Sequence, residues 1–304
     1  MIETFARTLP NGTTLSCRAA GAPGRPLMVF LHGFPEAAFI WDALIEHFAA
    51  PEHGGFRCIA PNLRGFERSS APTEVAAYRA HLLVQDLAEL AASEDPAGRI
   101  EVLVAHDWGG AFGWGFGNRH GDRLGRLVII NSPHPGTFAR ELQNNPQQQA
   151  ASAYMNFLAR PDAEALLAAD DYRRLWPFFL GMKAGADGFG WLTEAVKDQY
   201  REVWDAGLTG ACNLYRVTPL KPALPGQPAP AMPDIPHDKL TVAAPTLVLW
   251  ALDDKALLPG LLEGLEHYVP KLHITRVPGA THWVVHEQPA FVASEIESFI
   301  ERTP

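Results

Sequence analysis

Six short stretches of this chain are almost entirely apolar and close on polar or turn residues: "PLMVFLHG" (26–33), "FRCIAPNLRG" (56–65), "RIEVLVAHD" (99–107), "RLVIINSPHP" (126–135), "PTLVLWALDD" (245–254) and "LHITRVPGATH" (272–282). A run too short for a stable helix but apolar on both faces reads as a strand covered on both sides. Between these runs, residues 39–50, 78–93 and 289–303 repeat apolar side chains at helical spacing. Strand and helix in alternation imply an α/β fold, a mostly parallel central sheet with helices on both faces. Residues 3–18 alternate instead around "PNG", a hairpin signature, because Asn-Gly accepts positive φ cheaply. In open sheets of this kind ligands gather at the carboxyl ends of the strands, so the polar residues that close each run are the candidates for chemistry.

One connection breaks the rhythm. About 110 residues, 135–244, separate two neighbouring strand candidates, where an α/β loop takes about 2 to 6. The expected organisation is therefore a core built from 1–134 and 245–304 with an inserted helical cap domain at 135–244, lying as a lid over the active face. Helical patterns cover 147–160, 162–181 and 190–217, followed by an extended, proline-rich strap at 218–236.

A chain of 304 residues, 47% hydrophobic and 19% charged, can bury a large core. Its net charge of −9, with no basic run, argues against nucleic acid as a partner. The three cysteines, Cys17, Cys58 and Cys212, are widely spaced without a CxxC, so neither a disulfide framework nor a cysteine zinc site is expected. The first residues lack a charged and then apolar leader, and no stretch approaches the ~20 apolar residues of a membrane span. A cytoplasmic protein acting on a small molecule, away from membranes, is the expectation; a homodimer is left open.

The third run turns into a helix through Ala105-His106-Asp107-Trp108-Gly109, which has the form small-x-nucleophile-x-Gly. That form is the tight elbow that holds a reactive side chain above the sheet. Gly109, Gly113 and Gly117 recur every four residues at a cost of about 1 kcal/mol each relative to Ala, implying close packing of one helix face. Phosphate binding does not follow, since neither GK[ST] nor GxGxxG is present. Asp107 could also serve merely as the helix N-cap, which Asp often does.

The partners weigh against that plainer role. His282 follows the last strand, where a base would meet the elbow, and Asp253 and Asp254 close the strand before it. One of these acids can hold the imidazole's tautomer. His282 and His286 share the spacing of HExxH zinc sites, but Trp283 stands where the Glu should be, so no metal is expected.

The order nucleophile, acid, histidine, together with "HGFPE" (32–36), "PNLRGFERS" (61–69), "HDWGG" (106–110), "LWALDD" and "GATHW", resembles the epoxide hydrolase branch of the α/β-hydrolase fold family over nearly the whole chain. Ala105 and Ala251 stand where relatives usually have glycine. The resemblance implies Asp254 rather than Asp253 as the acid, and an oxyanion hole from the N–H groups of Phe34 and Trp108. It also implies a pocket at Phe34, Pro35 and Trp108, no cofactor, and a ring-opening pair of phenols, Tyr154 and Tyr215.

A carboxylate nucleophile fits such chemistry. Serine attacking a saturated carbon would leave an ether that water cannot cleave, whereas aspartate leaves an ester that histidine-activated water can. The alternative leaving group is a halide, in a haloalkane or haloacetate dehalogenase; a non-catalytic ligand-binding module is a third reading. The resemblance favours the epoxide on three counts: Phe34 follows "HG" where haloalkane dehalogenases commonly carry Asn or another N–H donor, Trp108 follows the nucleophile where fluoroacetate dehalogenases carry Arg, and "IINSPHPG" has no carboxylate where many dehalogenases place the acid. The lid aromatics Trp176, Phe178, Phe179, Trp191 and Trp204 suggest an apolar pocket.

Overall fold

A computed structural model describes residues 1–185 and 187–303. Eight strands form one sheet: β1 (Glu3–Thr8), β2 (Thr14–Ala20), β3 (Leu27–Leu31), β4 (Arg57–Pro61), β5 (Ile100–His106), β6 (Leu124–Ile130), β7 (Thr246–Ala251) and β8 (Leu272–Val277). Their order is β1-β2-β4-β3-β5-β6-β7-β8. The hairpin at "PNG" makes β1 and β2 antiparallel, with Glu3 opposite Ala19, and β2 meets β4 antiparallel. The other pairings are parallel.

The apolar runs alternate between two cores. Leu103 and Ala105 of β5, Leu127 and Ile129 of β6, and Val248 and Trp250 of β7 enter one cluster; Val102, Val104, Val128, Ile130, Leu247 and Leu249 enter the other. With period-two side chains, only a strand covered on both faces needs every residue to be apolar. The first core is closed by α2 (Ala80–Glu94) and α3 (Trp108–Arg119), the second by α1 (Asp42–Ala49) and α12 (Pro289–Arg302).

Between β6 and β7 the chain forms α4 (Pro135–Asn144), α5 (Pro146–Ala151), α6 (Tyr154–Leu158), α7 (Ala163–Tyr172), α8 (Trp176–Leu180), α9 (Glu194–Asp205) and α10 (Thr209–Val217). Residues 218–236 carry no regular element, as their prolines predict. These helices are shorter than the sequence pattern suggests. The pattern at 162–181 breaks at Ala169–Asp171, where Asp170 and Asp171 take φ of 55° and 53°. Aspartate tolerates that region better than most residues, and Arg201 grips the Asp171 carboxylate through two N–H bonds of 2.8 Å, holding the corner against α9. A short α11 (Val284–Glu287) follows β8. Among the described residues no helix is long and apolar enough to cross a membrane.

Candidate active site

Asp107 sits between β5 and α3 with φ 51° and ψ −122°, a backbone conformation that non-glycine residues rarely adopt. The corner is possible because its neighbours are small. A Cβ on Gly109 would lie 2.5 Å from the Leu31 carbonyl oxygen, and one on Gly33 would lie 2.2 Å from Asp107 Oδ1. Neither glycine can be replaced without moving the elbow. Gly113 packs toward Ala105 and Ile129 as the four-residue spacing implies, while Gly117 faces Val242.

The carboxylate is oriented by backbone. Phe34 donates its N–H to Asp107 Oδ1 at 2.7 Å. Trp108 opens α3, so its N–H has no carbonyl a turn earlier within the helix to bond. The second oxygen, Oδ2, lies 3.6 Å from His282 Nε2. On the ring's other side, His282 Nδ1 bonds Asp254 Oδ2 at 2.7 Å, while Asp253 is exposed. The structure thus brings Asp107, His282 and Asp254 into one line. It also places Asp254, not its neighbour, behind the imidazole.

Asp254 is nearly fully buried. Burial alone would raise its carboxyl pKa; the facing His282, its hydrogen bond, and those from Asn131 and the Ala256 N–H outweigh burial and hold it below the usual range. His282 shows the mirror image. Burial pulls the imidazole down, but Asp254 by charge and hydrogen bond, then Asp107 and Glu36, lift it to about 9.

Asn131 is a residue the sequence reading missed. At the end of β6, with φ 40°, its Nδ2–H donates to Asp254 Oδ2 at 2.7 Å and its Oδ1 accepts from Ala251 N–H at 3.0 Å. Its place at a strand's carboxyl end was the available signal. Asn131→Ala is expected to remove a bond to a buried charge worth about 1.5 to 3 kcal/mol and to lower Tm by about 5 °C, read by calorimetry.

A second network missed from the sequence lies behind His282. Buried Glu36 takes Tyr200 O–H at 2.8 Å and His286 Nε2–H at 2.6 Å on one oxygen, with His106 Nδ1 3.2 Å from the other. His106 Nε2–H in turn donates to the His282 carbonyl at 2.9 Å. Burial raises the Glu36 carboxyl, but His286 and His106 more than reverse it, holding the group well below the usual range. His286 is thereby committed to Glu36, and Tyr200 on α9 fastens the helical insertion to the sheet.

The other motif residues are scaffolding. His32 Nε2 accepts from Leu63 N–H at 3.0 Å while Nδ1–H donates to the Gly33 carbonyl at 3.0 Å, and burial pushes its pKa down to about 4, so the neutral ring staples two strand ends. Arg64 holds Asp86 of α2 with bonds of 2.9 and 2.6 Å.

Asp107 and Trp108 open into a cavity of about 1070 Å³, whose lining includes Tyr154 of α6, Tyr215 of α10, Phe112, Phe138 and Met155. The two phenol rings lie 6.1 Å apart, and Tyr215 stands edge-on to Trp108 and Phe34 at 5.2 Å each. Burial first, then the Asp107 and Asp254 charges at Tyr154 and the neighbouring Tyr154 and Asp107 at Tyr215, raise both phenol pKa values against the lowering hydrogen bonds from Tyr215 and Trp108, so they are protonated at neutral pH.

Two expectations need correction. Of the three expected pocket residues only Trp108 lines the cavity; Phe34 abuts Phe178 and Tyr215, and the Pro35 carbonyl accepts from Trp204 Nε1–H at 2.7 Å. The helices between β6 and β7 pack directly on this loop and cover it. The aromatic set is likewise packing: Phe179 meets Trp283 at 4.5 Å and Tyr200 at 4.8 Å, Trp176 meets Trp204 at 4.7 Å, and Trp191 stacks on His286 at 4.0 Å.

Sheet order, elbow, and the succession of acid and histidine after later strands define an α/β hydrolase. The chain belongs to the α/β hydrolase fold family, whose model matches residues 26–289. It is similar to YfhM of Bacillus subtilis, an AB hydrolase superfamily protein, at 31% identity over 96% of both chains. A structure among novel epoxide hydrolases from hot-environment metagenomes shares 36% identity over 99% of both chains, with a TM-score of 0.84. The crystal structure of an epoxide hydrolase from Bacillus megaterium bound to an inhibitor shares 28% identity over 98% of this chain and all of that one, again at 0.84.

Proposed function

We propose that this chain hydrolyses epoxides to vicinal diols through an ester on Asp107. The observation that carries the reading is a carboxylate at the elbow, one oxygen bonded by the Phe34 N–H and the other facing a histidine backed by an acid, beneath two protonated phenols in one cavity. The named activity of the metagenomic and Bacillus megaterium relatives supports it.

Because Oδ1 is held by Phe34, Oδ2 is the free nucleophile. It attacks a ring carbon, the carbon–oxygen bond breaks, and Tyr154 or Tyr215 gives its proton to the emerging alkoxide. His282 Nε2 then takes a proton from water, whose oxygen adds to the Asp107 carboxyl carbon. The resulting oxyanion rests on the N–H groups of Phe34 and Trp108, donors of a kind worth about 3 to 4 kcal/mol each. Collapse expels the diol oxygen, which takes the proton from His282; the proton left on Asp107 returns to the phenolate. The sum is epoxide plus water.

A panel of aromatic and aliphatic epoxides tests the reading: diol is expected from at least one, and no turnover on any would sink it. Tyr215→Phe is expected to lower kcat/KM on the order of 10²-fold and the double Tyr154→Phe, Tyr215→Phe variant further, since a general acid contributes about 10² to 10⁴. Trp108 lining the cavity beside Asp107 is the one observation favouring a dehalogenase, since an indole N–H can receive halide. There the phenylalanine variants would keep their rate and haloalkanes would release halide.

A further inference from the structure

We infer that His47, His53 and Glu297 form a site for a divalent transition metal of the zinc, nickel and copper class that ties the C-terminal helix to the first helix. His47 lies in the last turn of α1, His53 ends a single 3-10 turn at Pro51–His53, and Glu297 is on α12. His47 Nε2 and His53 Nδ1 approach the same oxygen, Glu297 Oε1, at 2.9 and 2.6 Å, and the three donor atoms lie within 4.8 Å of one another. The two rings stack, centroids 3.7 Å apart and planes 22° from parallel, so one imidazole tilts out of the stack for both in-plane lone pairs to meet a single ion.

The three donors stand on structure that holds without them. The turn carrying His53 is closed by Gly55 N–H on the Ala50 carbonyl and Phe56 N–H on the Phe48 carbonyl, both 2.9 Å. Phe48 and Phe56 are buried below it, and Val292, Ile296 and Phe299 seat α12 in the same core. Zinc bonds imidazole nitrogen and carboxylate oxygen at about 2.0 to 2.2 Å. Tetrahedral donors around it are therefore about 3.3 Å apart, so the two nitrogen–oxygen contacts need to open by only several tenths of an ångström. The side chains are 28 to 36% exposed, which leaves water access for a fourth ligand. Two nitrogens in three donors select zinc, nickel or copper over magnesium and calcium, which prefer oxygen cages. The cluster shares no residue with the Asp107 site, so the inference stands apart from the reaction.

The test is calorimetric titration of the chelator-treated full chain with zinc chloride, and with magnesium chloride in parallel. Zinc is expected to bind 1:1 with a micromolar Kd, magnesium not at all, and Tm to rise by about 5 °C at 100 times the Kd. His53→Ala and Glu297→Gln should each weaken zinc at least 30-fold while keeping the parent's circular dichroism in chelator. Glu297→Gln keeps the side chain's size, so it decides the matter if His53→Ala fails to fold. A flat zinc isotherm, or one unchanged in a folded variant, overturns the site.

Discussion

Asp107→Ala is expected to abolish epoxide hydrolysis under the proposed mechanism: kcat should fall on the order of 10⁴-fold or more, the scale seen when a covalent nucleophile is removed from a site whose other parts remain. No neighbour can substitute. The other buried carboxylates near it are engaged, Asp254 by His282 and Asn131, and Glu36 by Tyr200 and His286. The fold should survive, because the elbow is held by glycine contacts and by Ser132 Oγ–H on the Asp107 carbonyl at 2.6 Å, none of which needs the carboxylate. Steady-state rates with a panel epoxide check the first point, a calorimetric Tm close to the parent's the second. A variant within tenfold of the parent rate would mean that Asp107 only caps α3.

That plainer role loses ground on geometry. An N-cap side chain accepts from the N–H two or three residues on, yet Asp107 makes no such bond and its Oδ1 takes the N–H of Phe34, 73 positions earlier. The sequence signals that reached this corner were local and steric. Small residues on either side of position 107 are what a tight turn demands, and strands buried on both faces write unbroken apolar runs. The rest was invisible for a corresponding reason. Asn131 meets Asp254 across 123 residues, and His286 meets Glu36 across 250, so no periodicity records either contact. The aromatics of the helical insertion mislead because packing of an inserted layer and the wall of a substrate pocket call for the same residue types. Breaks inside α7 depend on a tertiary grip, Arg201 on Asp171, that helix propensity does not contain.

His282→Gln is expected to separate the two halves of the reaction, leaving the first and stopping the second. The nucleophile needs no base, since a carboxylate is its own anion; only the water step requires a proton acceptor. One equivalent of epoxide should therefore be consumed in a burst, after which turnover falls on the order of 10³-fold and the ester accumulates. Mass spectrometry should find the Asp107 peptide heavier by one intact epoxide. In the parent, one turnover in ¹⁸O-water should place the label in the Asp107 carboxylate and not in the diol, because water attacks the carboxyl carbon. The electrostatics time the base. With Asp107 ionised, His282 is held at about 9 and is mostly protonated at neutral pH. Esterification cancels the Asp107 charge, one of the groups that raised it, so the pKa falls and the neutral imidazole is released for the step that needs it. The sign is testable: a raised histidine works as a base only above its pKa, so kcat should rise with pH along an acid limb whose midpoint lies below 9 whenever the ester is the accumulating species. A midpoint at or above 9 would mean that losing the Asp107 charge does not release the base, and label found in the first-turnover diol would leave no ester for His282 to cleave.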